Sequence, residues 1–180
     1  SGKLPTTFPK TLLDSPAHTS FRTYPGDEEV HYEEGIFVGY RHFDQQNIEP
    51  LFPFGFGLSY TTFELSDLVL DKQKISETDE EVNVSVKIKN LGDRQGKEVV
   101  QVYAHDVEST LERPLKELVG FAKVDVQPGE EKTVQIPIKI QDLSYYNPDK
   151  DRWVLEKGEF KLMVGTSSRD LPLEAACFLE

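Results

Sequence analysis

The sequence predicts an all-β fold: an antiparallel sandwich of about seven strands with a long irregular N-terminal arm. Three observations carry that expectation. From residue 62 onward, apolar and polar residues alternate with period two. Turn signals recur at short intervals through the same region. No segment shows the apolar spacing of a useful amphipathic helix.

The arm comes first. Residues 1–61 hold six of the eleven prolines and little periodicity. Ser1 to Asp14 reads as an extended segment punctuated by Pro5 and Pro9, and "SPAHTSFRTYPGDEE" as loop, with "PGDE" a turn. Tyr32 to Tyr60 holds eight aromatic residues, four glycines and two prolines. That is too aromatic for an ordinary linker and too rich in breakers for a helix or long strand. So long an irregular stretch is unusual inside a compact domain and reads as an arm lying on another body.

The strands follow. Val82, Val84, Val86 and Ile88 alternate with Asn83, Ser85, Lys87 and Lys89, which makes a half-buried strand. "NLGDRQGKE" turns the chain into Val99 to Ala104. "KELVGFAKVDV" is the next strand, closed by the "QPGE" turn at Gln127 to Glu130. Val134, Ile136, Ile138 and Ile140 alternate again, and Pro137 within them predicts an edge strand or a bulge. "NPDKD" is a turn. Phe160, Leu162 and Val164 share one face, and Leu173, Ala175, Cys177 and Leu179 supply the last. The Cys–Trp–Cys spacing of antibody domains is absent, so a fibronectin type III-like variant of the immunoglobulin-like sandwich is expected.

Composition excludes several functions. A net charge of -12 repels phosphate backbones and anionic membrane surfaces, so neither nucleic acid nor membrane is an expected partner. No apolar run approaches the roughly 20 residues needed to span a bilayer. One cysteine, Cys177, excludes an internal disulfide and a thiolate-rich zinc site. "NVS" at Asn83 fits a glycosylation sequon but lies within a strand pattern.

The search for chemistry finds no catalytic set. The acid pairs Asp27/Glu28, Glu33/Glu34, Glu80/Glu81 and Glu130/Glu131 lie in turns or at strand ends and read as solvated surface, with no acid marked as buried. His18, His31, His42 and His105 are too scattered for a metal site. "NPDKD" lacks the central Gly and closing Glu of a calcium loop. No Gly-x-Ser-x-Gly elbow occurs. "GFGLSY" has no third Gly and no Lys for a phosphate. No cofactor is expected. Trp153 precedes Val154 and Leu155 in a strand and is expected to be buried or half-buried, with sugar stacking by Trp153, Tyr145 or Tyr146 as the alternative. Tyr145 or Tyr146 is a candidate tyrosine corner, its hydroxyl bonded to backbone.

"SGKLPTTFPK", "YEEGIFVGYRHFD" and "PLFPFGFGLSYTTFE" resemble the C-terminal third of family 3 glycoside hydrolases, the β-glucosidase group. "VKIKNLGDRQGKEVVQVYA", "RPLKELVGFAKVDVQPGEEKTV" and "RWVLEKGEFKLMVGTSSRD" continue the resemblance, which covers nearly all of the chain in order. It implies a catalytic Asp in an N-terminal barrel and an acid/base Glu in the following α/β domain, both upstream of Ser1, so no catalytic residue is carried over. The chain reads as cut from something longer, whose retaining hydrolysis of β-glucosides it does not perform alone.

The resemblance divides the chain into residues 1–61, an arm or connector from the end of the α/β domain, and residues 62–180, a fibronectin type III-like sandwich. Its implied partners are the parent's barrel and α/β domains. β-Glucoside substrate is reached only through the parent, and homo-oligomer contacts are compatible with it. Tyr40, Arg41, Phe52, Phe54, Phe56 and Tyr60 are the expected interdomain packing residues; completion of the sandwich's own core is the other reading. The expected role is a non-catalytic support module, with a carbohydrate-binding module as alternative.

Overall fold

The computed structural model describes residues 2–18 and 20–180. Among these residues ten strands occur in chain order: β1 Phe63–Leu70, β2 Lys74–Ile75, β3 Glu81–Asn90, β4 Gly96–Asp106, β5 Glu117–Val126, β6 Glu131–Lys139, β7 Tyr145–Asn147, β8 Arg152–Val154, β9 Gly158–Gly165 and β10 Leu173–Leu179. Seven of them run seven residues or more. One sheet has the order β1-β3-β6 and the other β2-β10-β9-β4-β5, while β7 and β8 form a separate two-stranded ribbon. This is the all-β sandwich that the alternation predicts.

The alternation works because successive side chains of a strand point to opposite faces. Val82, Val84, Val86 and Ile88 of β3 are fully buried, as are Val100 and Val102 of β4 and Leu162 and Val164 of β9. Together with Ile136, Ile138, Phe160 and Cys177 they form one core between the sheets. Burial of the Cys177 thiol in this core pushes its pKa up to about 11. β6 pairs only with β3, so Pro137 stands on an edge strand, opposite Asn83. The "NPDKD" turn closes the ribbon as an Asx turn: Asn147 Oδ1 accepts the Asp149 and Lys150 amides at 3.0 and 3.1 Å.

Three expectations need correction. A short helix, α1 (Tyr40–Gln45), forms inside the breaker-rich stretch, opening after Gly39 at φ +55°. Trp153 is not buried but 68% exposed. In the ribbon Tyr146 faces Trp153 across the strands and both point outward, while Tyr145 takes the buried side. Neither tyrosine is a corner of the expected kind: Tyr145 donates to Glu156 at 2.8 Å and Tyr146 donates to Asp151, both side chains.

Candidate interdomain surface

Strand β4 is buried on both faces. Its inward residues Val100, Val102 and Ala104 meet the core, yet the intervening Gln101 and Tyr103 are also 3% and 0% exposed. A sheet face exposed to water would carry polar side chains there. The arm supplies the cover as a third layer. Tyr40 of α1 packs edge-on against Tyr103 at 5.8 Å between ring centroids and lies 5.1 Å from Phe54. Edge-to-face pairs of this kind add about 0.5–1.5 kcal/mol beyond the area they bury.

Polar groups fix the register of that layer. The Tyr40 hydroxyl accepts the Leu118 amide at 2.9 Å. Gln101 donates to the carbonyls of Gly55 and Thr166 at 3.2 and 2.6 Å, and its Oε1 accepts the Tyr103 hydroxyl at 2.7 Å. Burial first, and then Tyr40 and Asp44 nearby, push the Tyr103 phenol far up, so it remains a donor. Gly55 has φ +79°, and a Cβ there would overlap the Gln101 carboxamide. The Ser168 amide donates to the Phe54 carbonyl at 2.9 Å.

Ion pairs complete the attachment. Arg41 meets Glu117 of β5 at 2.8 Å, and Glu117 also pairs with Arg113 at 2.9 Å. Arg113 in turn holds Asp106 at 2.9 Å. Asp44 of α1, its side chain 3% exposed, lies between Lys116 at 2.6 Å and Arg169 at 3.1 Å. Arg169 also donates to the Phe43 and Ile48 carbonyls. Lys3 pairs with the buried Glu98 at 2.7 Å. Sequence reading marked no acid as buried; Asp44, Glu98 and Asp106 correct it, the first two neutralised by cations distant in sequence and Asp106 by Arg113 seven residues on. The only local hint was "VVQVYA", which is largely apolar at odd and even positions alike.

Other arm aromatics pack within the arm or stand exposed, apart from Phe43, which is buried. Residues 4–8 run beside residues 52–56, with the Leu4 amide on the Phe56 carbonyl at 2.8 Å and the Phe8 amide on the Phe52 carbonyl at 2.9 Å. Phe52 stacks on Phe56 at 5.2 Å, and Phe8 meets Phe52 edge-on at 6.2 Å. Leu12, Leu13, Phe21, Tyr32, Leu58 and Tyr60 stand exposed along the same arm, Tyr60 at 95%. The predicted residues therefore divide: Tyr40, Arg41 and Phe54 sit on this chain's own sandwich, Phe52 and Phe56 stack within the arm, and Tyr60 projects into solvent.

Among the described residues, no group of three or more His, Cys, Asp or Glu side chains could hold a metal ion. The acid pairs singled out in the sequence are on the surface: Asp27, Glu28, Glu33, Glu80, Glu81 and Glu131 are exposed, and Glu34 and Glu130 partly so.

Residues 98–168 match the fibronectin type III-like domain family. The chain is 51% identical over 175 residues to thermostable β-glucosidase B of Acetivibrio thermocellus, covering 97% of this chain and 23% of that protein. The chain carries the fibronectin type III-like domain of family 3 β-glucosidases. With β-glucosidase BoGH3A of Bacteroides ovatus it is 46% identical, over 95% of this chain and 23% of that one. Among solved structures, DesR, a β-glucosidase from Streptomyces venezuelae in complex with D-glucose, superposes with a TM-score of 0.92 at 36% identity over 99% of this chain. β-Glucosidase 3B of Thermotoga neapolitana gives 0.87 at 41% identity. The chain spans 20–23% of the length of such curated relatives and corresponds to their C-terminal portion. The relatives are thus much larger chains, and the family's resemblance in the sequence is met along the whole of this one.

Proposed function

We propose that this chain is the non-catalytic packing module of a larger β-glucosidase, and that its arm docks the sandwich onto the parent's catalytic barrel and α/β domains. The observation that carries the reading is the two-sided arm. Its inner side is bonded to β4 and β5, while its outer side leaves Leu13, Tyr32, Leu58 and Tyr60 in water. The occupant follows from the relatives, which are β-glucosidases about four to five times as long. The division into an arm of residues 1–61 and a sandwich of residues 62–180 is supported by the start of β1 at Phe63. In this reading the parent hydrolyses β-glucosides, and the module contributes rigidity and domain placement.

Exposed residues that become buried in the parent give a direct test. Leu13→Ser with Tyr60→Ser leaves the melting temperature of the 180-residue chain unchanged and lowers that of the full parent enzyme. Equal melting shifts in both proteins, or none in the parent, would rule out docking through this face.

A further inference from the structure

We infer that the outer edge of the sandwich carries a binding site for a neutral β-linked glucan, built around Trp153. Trp153 does no packing for the core. It stands on the β7–β8 ribbon, 68% exposed, on the wall of a cleft of about 910 Å³. Its ring is held upright from behind by Tyr146, edge-on at 6.0 Å, and Tyr146 is held by the hydrogen bond from its hydroxyl to Asp151. Beneath the ribbon, Tyr145 is pinned by Glu156 and Thr110 and covered by Arg113, whose guanidinium carbon lies 5.3 Å from the ring centroid. Burial raises the Glu156 carboxyl, but hydrogen bonds from Thr110 and Tyr145 outweigh it and hold its pKa below the ordinary value, so it stays an acceptor for both. An exposed indole is therefore displayed on a braced two-stranded platform.

The cleft chemistry selects the ligand class. Leu118 and Val119 supply apolar lining, and Gln141, Asp142, Ser144 and Arg152 supply both donors and acceptors. A pyranose ring has the same division: an apolar C–H face that lies flat on an aromatic ring and an equator of hydroxyls that both donate and accept. An anionic polysaccharide is disfavoured by the chain's net charge of -12. The choice of glucan among neutral polysaccharides rests on the proposed parent activity; the aromatic cleft itself does not. The cleft is lined by the ribbon, the start of β5 and the segment after β6, with Arg41 of the arm on its wall, and none of the exposed arm residues Leu13, Tyr32, Leu58 and Tyr60 lines it, so a docked module and a sugar-binding module are compatible.

Trp153 is the sole tryptophan, so its emission reads this site alone. Titration of the 180-residue chain with cellohexaose or laminarihexaose is expected to shift the emission to the blue and reduce quenching by iodide. In affinity electrophoresis through soluble β-glucan, the chain is retarded. Trp153→Ala weakens binding about tenfold or more without changing the melting temperature, because the ring is exposed, and Trp153→Phe retains part of it. Absence of retardation and of any emission change with every β-glucan would overturn the proposal, as would full retardation of Trp153→Ala. Either result leaves the Leu13/Tyr60 docking test untouched, so the two readings fail separately. In the full parent enzyme, Trp153→Ala is expected to preserve turnover of a small aryl β-glucoside and reduce retention on polymer.

Discussion

Arg41 in the arm and Arg113 beyond the end of β4 share one carboxylate, Glu117, at 2.8 and 2.9 Å. A single acid thereby connects α1, the start of β5 and, through Arg113, the buried Asp106. Glu117 is about a quarter exposed, so solvent screens part of each pair. Glu117→Gln is expected to lower stability by about 1–2 kcal/mol, since Arg113 keeps Asp106 but loses its second partner. A double-mutant cycle with Arg41→Ala measures the Arg41 share. Additive effects would show that the arm and β5 are not coupled through this pair.

Gln101 makes three hydrogen bonds in a buried setting, one to the arm at the Gly55 carbonyl and two within the sandwich at Thr166 and Tyr103. Gln101→Leu takes a partner from the Gly55 carbonyl and the Tyr103 hydroxyl, while the Thr166 carbonyl keeps Lys3. The expected loss is about 2–4 kcal/mol by urea denaturation. Limited proteolysis should then cut first within residues 50–58. A variant with unchanged midpoint and unchanged cleavage would mean the strip is held by Tyr40 and Phe54 alone.

Deletion of residues 1–61 separates the two uses of the arm. The two-sheet core runs from Ile75 to Leu179 and, among the described residues, includes none from the arm, whose buried Phe43 lies outside it, so the strands should still form. Tyr103 and Gln101 become exposed, and Lys116 and Arg169 lose Asp44. A β-type circular dichroism spectrum with a lowered melting temperature is the expected result. A molten product would show that the arm completes the core; an unchanged melting temperature would show that it contributes nothing to the sandwich.

His105 sets an acid limit. Burial first, then Lys161 and Arg113, lower its pKa, against the opposing pull of Asp106 and Glu174, and its Nδ1 is buried without a hydrogen-bond partner. The folded state thus resists a proton that the unfolded chain accepts near pH 6.5. The stability this contributes is complete above about pH 6.5 and declines as pH falls through the lowered folded value. His105→Gln should flatten the pH dependence of the urea midpoint below about pH 6.5. An equally steep profile in the variant would assign the effect to carboxylates instead.

The faces that build the two-sheet core were legible residue by residue. Val82 to Ile88, Val134 to Ile140 and Phe160 to Val164 announce their buried sides because a strand's side-chain period is two and needs no distant information. Pro137 named its own strand as an edge by lacking a donor. Trp153 was misjudged because Val154 and Leu155 beside it suggested a core strand, whereas the ribbon's pairing turns it outward with Tyr146. The helix α1 was hidden by Gly35, Gly39 and Pro50 around it, since its six residues are too few to show a period.

The sequence by itself determined the sandwich, its turns and its membership among the C-terminal portions of family 3 β-glucosidases, since local alternation and ordered motifs carry that information. Only the tertiary structure decided which aromatics belong to this chain. Tyr40 reaches the Leu118 amide across 78 residues, and Arg169 reaches the Phe43 carbonyl across 126. Asp44 is tolerable as a buried charge only because Lys116 and Arg169 converge on it once the arm lies over β4 and β5. That convergence depends on the folded path of the chain, and no window of sequence contains it.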